Sequence, residues 1–189
     1  MTQDELQSNL DYVARAVRHH ERSPGVPAIY FLWALLVLIG FCLPDWAPRI
    51  AAPYWFFAGI GGGLLSVWLG MRHGRRNGVI DRESGRRYGY HWLVAGVAFL
   101  LTGLPIALGR VEIYAGVANF LLIGGTAYAL AGVHLDRPIL WSGLIMYVAY
   151  AAMMLFSPPY AWTFAGIATA ASLTWAGMSA LRRGSGAPR

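Results

Sequence analysis

Six stretches of the chain are apolar almost without interruption: residues 27–43, 54–71, 91–108, 113–135, 139–156 and 160–181. Each is close to the roughly 17–25 residues with which a helix crosses about 30 Å of hydrocarbon. Open strands are excluded, because their unpaired backbone groups cannot face lipid. The pattern predicts an all-α integral membrane protein with six transmembrane helices.

The first 25 residues follow a different pattern. Thr2 and Glu5 make a T-x-x-E capping box, which satisfies orphan amides at a helix start. Leu6, Leu10, Val13 and Val17 then form one narrow apolar stripe at helical spacing. Acidic residues come early (Asp4, Glu5, Asp11) and arginines late (Arg15, Arg18, Arg22), an order that suits the helix dipole. Pro24-Gly25 and Pro27 end this short amphipathic helix and open the next one. Its stripe suits either the bilayer surface or a partner helix. The expected division is an amphipathic helix over 1–25, a six-helix transmembrane domain over 26–183 and a flexible tail over 184–189.

Arginine sets the orientation. Arg15, Arg18, Arg22, Arg72, Arg75, Arg76, Arg82, Arg86, Arg87, Arg137, Arg182, Arg183 and Arg189 fall on one side of the predicted spans, and only Arg49 and Arg110 on the other. The positive-inside rule makes the first side cytoplasmic and puts both termini there, in a cell inner membrane. Trp46, Tyr54, Trp55, Tyr88, Tyr90, Trp92, Tyr160 and Trp162 fit aromatic belts at the two interfaces.

The second and sixth spans repeat one another. Trp55-x-Phe57-Ala58-Gly59-Ile60 matches Trp162-x-Phe164-Ala165-Gly166-Ile167 at an offset of 107, which also pairs Trp68 with Trp175, Gly70 with Gly177, Met71 with Met178 and Arg75-Arg76 with Arg182-Arg183. Ten of 22 positions agree, and the tryptophan register is hard to obtain from composition alone. The odd spans begin with Trp33, Trp92 and Trp141, and proline turns are expected after them at Pro44, Pro105 and Pro158. Three consecutive helical hairpins, about 27–71, 91–135 and 139–181, follow as parallel repeats.

Composition agrees and removes several chemistries. The hydrophobic fraction is 57% and the charged fraction 13%, about half the charge that a water-facing surface carries. All 15 basic residues are arginine, so no lysine can act as a nucleophile. Cys42 stands alone, which rules out an internal disulfide or a multi-cysteine metal site. No catalytic, cofactor or metal-binding constellation emerges. His91 and His134 fall at the same ends of their spans, but a metal would need further ligands. Glu112 beside Arg110, and Asp136 beside Arg137, are expected as interfacial pairs, with no charge held inside a span.

The remaining candidates concern packing and contact. Gly59 and Gly63 give the second span a GxxxG face, with Gly124 and Gly125 on the fourth; such residues let helix backbones approach, within the chain or in a homo-oligomer. Asn119, mid-span, needs an amide partner and is expected either to join helices or to line a solute path. Arg72, Arg75, Arg76, Arg86 and Arg87 lie in a basic loop over 72–90 suited to anionic lipid or to another membrane or cytoplasmic protein. Nucleic acid is not an expected partner, because no recognisable module is present. The functional expectation is a non-enzymatic accessory, regulatory or interaction subunit working through its basic cytoplasmic face. The alternative is a small-solute channel or transporter, for which Asn119, Thr126 and Thr169 would have to converge on one axis.

Overall fold

The computed structural model of the protein describes Gln7 and residues 25–77, 82–111 and 113–185. The amphipathic helix expected over the first 25 residues lies outside the described residues apart from Gln7 and Gly25, as do Glu112 and the tail from 186. Six long helices make up the described fold: α1 (Pro27–Trp46), α2 (Pro48–Asn77), α3 (Arg82–Ala107), α4 (Ile113–His134), α5 (Ile139–Phe156) and α6 (Ala161–Ser185). All six are long and apolar enough to cross a membrane, the build of a multi-pass membrane protein.

Two boundaries differ from the hydropathy pattern. The stretch 72–90, expected as a loop, is mostly helix: α2 runs on to Asn77 and α3 already starts at Arg82. Arginine is a good helix former and its long stem lets the charge reach water from a helical backbone, so loss of hydrophobicity does not end the helix. At the other end, Pro44 and Pro105 lie inside the last turns of α1 and α3 rather than in turns that follow them. Amides in a last turn still bond four residues back, so each proline gives up one such bond, and each helix stops two residues beyond it. Ala47 alone separates α1 from α2.

Side by side, the helices run α3, α4, α5, α6, α1, α2, and among the described residues extended packing joins only neighbours in that order. The broadest interfaces are α1 with α6 and α4 with α5. Lipid gives helices no hydrophobic reason to associate, so close fit must do it. In α6 the buried residues are largely small (Ala165, Ala170, Ala176, Ala180), and Phe41 of α1 lies edge-on to Trp162 at 5.7 Å. Between α4 and α5 the backbones nearly touch. A Cβ at Gly143 would sit 2.4 Å from the Ala129 nitrogen, and one at Gly132 2.3 Å from the Leu140 nitrogen. The buried cluster draws on α1, α4, α5 and α6, while α2 and α3 add only partly buried side chains such as Trp55 and Trp92.

Candidate functional site

One end of the helix row carries the arginines, and there the chain buries a carboxylate. Where α4 stops, the amides of Leu135 and Asp136 both donate to the Ala131 carbonyl, and the Asp136 carbonyl accepts from Ile139 as α5 starts. This tight turn carries the Asp136 side chain inward, where it is 5% exposed. Tyr30, on the first turn of α1, donates its hydroxyl to Asp136 Oδ2. Arg183, near the end of α6, donates from Nη1 and Nη2 to Asp136 Oδ1, each at 3.2 Å. Tyr88 of α3 lies within electrostatic reach of Asp136 and Arg183. Its hydroxyl oxygen is buried without a hydrogen-bond partner among the described residues. Gly25 closes the cluster, since a Cβ there would fall 2.0 Å from the Tyr30 oxygen and 2.8 Å from Asp136 Oδ2.

Asp136 is therefore no interfacial partner of Arg137, which is exposed. A buried carboxylate needs a countercharge and donors, and here they come from α1 and α6, 106 and 47 residues away. The signal was present in the sequence: Asp136 is the sole acidic residue after Glu112, on the side crowded with arginines.

At the opposite end α1 and α6, which Asp136 bridges at the arginine-rich end, are joined by a direct polar contact. Asp45 Oδ2, late in α1, accepts from the backbone nitrogen and the hydroxyl of Thr163, both at 2.7 Å. Thr163 is in the first turn of α6, so a carboxylate from α1 satisfies an orphan amide at that helix start and meets its positive dipole end. Trp46 donates to the Thr163 hydroxyl at 3.0 Å and stacks on Tyr160. The α1 and α6 pair is thus pinned at both ends.

Of the predicted packing glycines, Gly124 faces Met146 and Phe99, and Gly125 approaches Tyr147 and the Gly143 carbonyl at 3.1 Å. Gly59 and Gly63 pack against nothing within the described chain; it is Gly62 that meets Leu36 of α1. Asn119 lines a lateral groove of about 400 Å³ with Thr102, Pro105 and Ile106 of α3. Thr126 is exposed and takes a hydrogen bond from Tyr147. Thr169 is fully buried on α6, its hydroxyl without a partner among the described residues. These three polar side chains do not share an axis.

The basic candidates divide between two helices. Arg72 and Arg75 are exposed on α2, with the Arg72 guanidinium 5.1 Å from the Trp68 ring centre. Arg86 and Arg87 are exposed on α3, and Arg87 pairs with Glu83 at 2.6 Å. The Arg76 side chain lies outside the described residues. His91 donates from Nε2 to the Ala127 carbonyl of α4 at 2.9 Å, two turns short of His134, so the two histidines are not brought together. Among the described residues no three His, Cys, Asp or Glu side chains gather as a metal site requires. No protein-family model, curated protein or solved structure matches the chain.

Proposed function

We propose that the chain is a non-enzymatic inner-membrane protein that works by interaction, as an accessory or regulatory subunit. Its arginine-rich end and both termini face the cytoplasm, in keeping with the arginine count. One observation supports this reading above the others: among the described residues α2 and α3 are almost unpartnered. In their most apolar stretches only 6% of residues are buried, against 50% in α4 and α6. Gly59, Gly61, Gly63 and Gly70 of α2, and Gly85, Gly89 and Gly96 of α3, have nothing within 4 Å of the position a Cβ would take. Small residues on an unfilled helix face are what a second membrane helix packs against, whether from another protein or from a second copy. The extensions of these two helices carry the basic segment, so one assembly could engage both. The amphipathic segment over 1–25 supplies a further contact in this reading. The alternative, a solute path, draws no support from the geometry, because Thr126 lies outside and Thr169 is sealed within α6 and its neighbours.

Photo-crosslinking residues substituted at Leu64 of α2 and Leu100 of α3, both 69% exposed, test the reading against Val148 of α5, equally exposed. After extraction with the surrounding lipid, a discrete protein adduct is expected at the first two positions and not at the third. Lipid adducts alone at all three would sink it.

A further inference from the structure

The end of α2 carries an exposed face that no contact among the described residues covers. Trp68, Met71, Arg72 and Arg75 together line a shallow, half-open depression on this one helix. Their spacing of i, i+3, i+4 and i+7 puts them on one helix face. That face is roughly 130° around the helix from Gly62, at 100° per residue, and Gly62 is the glycine that packs on α1. The recess therefore looks away from the bundle, into lipid. It also lies where α2 passes from its apolar run (54–71) to arginine, the depth at which headgroups and interfacial tryptophans meet.

Charge decides the occupant. α2 contains no acidic residue. The ion pairs among the described residues are Arg87 with Glu83 and Arg183 with Asp136, so Arg72 and Arg75 have no carboxylate partner there. The Arg72 guanidinium lies over the Trp68 ring, 5.1 Å from its centre. A planar fork held this way suits a phosphate, to which arginine can bond twice. Trp68 and Met71, 49% and 54% exposed, supply apolar surface beside it.

We propose that this recess binds the headgroup of an anionic phospholipid of the bilayer, with Arg72 and Arg75 on the phosphate and Trp68 and Met71 against the upper acyl chain. The site requires only that α2 span a bilayer, and so stands apart from the partner reading. The chain supplies its own comparison. At the offset of 107 the pattern recurs on α6 as Trp175, Met178 and Arg182, but Ser179 replaces Arg72.

The test uses the full chain in nanodiscs made with equal phosphatidylglycerol and phosphatidylcholine, released into native mass spectrometry so that retained lipids are counted. One phosphatidylglycerol should be retained in preference to phosphatidylcholine. Arg72→Gln/Arg75→Gln should lower that retention by roughly thirtyfold, at about fivefold per arginine near an anionic surface, and Arg137→Gln should leave it unchanged. All three side chains are exposed, and equal thermal midpoints in phosphatidylcholine alone establish that the variants are folded. Retention of both lipids alike, or equal phosphatidylglycerol retention by the double variant, would overturn the proposal.

Discussion

At the scale of single residues, the buried cluster separates hydroxyls that matter from hydroxyls that do not. Tyr30 donates to a carboxylate that is almost fully buried, and a hydrogen bond to a charged group contributes about 1.5–3 kcal/mol. Tyr30→Phe is expected to lower unfolding stability in bicelles by about that amount. Tyr88 and Thr169 hold buried hydroxyls with no partner among the described residues, so Tyr88→Phe and Thr169→Val should be neutral or slightly stabilising. A loss above about 1 kcal/mol on removing either hydroxyl would mean it has a partner. Asp136→Asn should cost roughly 1–3 kcal/mol, less than a fully buried pair, because the Arg183 side chain is 39% exposed and water shares its charge. Gly25→Ala forces a methyl onto the Tyr30 oxygen. Part of its cost should vanish in a Tyr30→Phe background, where the clashing atom is gone. The lone acid on the arginine-rich side was legible in the sequence, but its partners were not. Asp136 sits beside Arg137 in sequence, and adjacency suggested a pair, whereas the turn after α4 aims the two side chains in different directions.

At the scale of helices, the apolar pattern located the six long helices among the described residues but not their ends or their neighbours. Six runs became six helices, since in lipid a helix satisfies all the backbone polar groups of one segment within itself. The ends moved because arginine prolongs a helix and because α1 and α3 run two residues past their prolines before they stop. Glycine motifs told close approach but not between which helices. The GxxxG pair Gly59 and Gly63 faces nothing among the described residues, whereas Gly132 and Gly143, which no motif singled out, bring α4 and α5 into backbone contact. The consequence is a contrast between chemically identical substitutions. Gly143→Ala puts a methyl 2.4 Å from one backbone atom and 2.7 Å from another, which neither side can relieve by a rotamer change. It should destabilise the α4 and α5 pair by more than about 2 kcal/mol, within the range for overpacking a fitted interface. Gly63→Ala has open space to fill and should leave the monomer's stability unchanged or raise it by up to about 1 kcal/mol, the helix preference of alanine. Reversible unfolding of the two variants in the same bicelles measures both. The interface across Asp45 and Thr163 should respond as a cap does: Asp45→Ala is expected to cost about 1 kcal/mol.

At the scale of the molecule, the row of helices places α2 and α3, consecutive in sequence, at its two extremes. Only residues 78–81 join them. Five steps of extended chain reach roughly 18 Å, so the arginine-rich ends of α2 and α3 stay close although no extended packing joins their lengths. The arc this describes has its gap between the two helices that carry the basic segment. In a Cys42→Ser background, a short thiol crosslinker should join Phe31→Cys with Gly177→Cys, where a Cβ on Gly177 would lie 3.0 Å from the Phe31 ring. It should not join Gly63→Cys with Gly96→Cys within one chain, and an efficient intramolecular link there would close the ring. The gap matters for function only if its arginine-rich end faces the cytoplasm, and labelling can decide that independently of any partner. Arg110→Cys and Arg137→Cys sit in exposed turns at opposite ends of the helices. With nine arginines at one end and two at the other among the described residues, the expected insertion leaves position 110 open to a membrane-impermeant maleimide in intact cells, and position 137 only after permeabilisation. The reverse labelling would place the buried Asp136 cluster and the α2 recess on the outer face. The accessory reading would then lose its cytoplasmic surface, while the headgroup site, which needs only a bilayer, would move to the other leaflet.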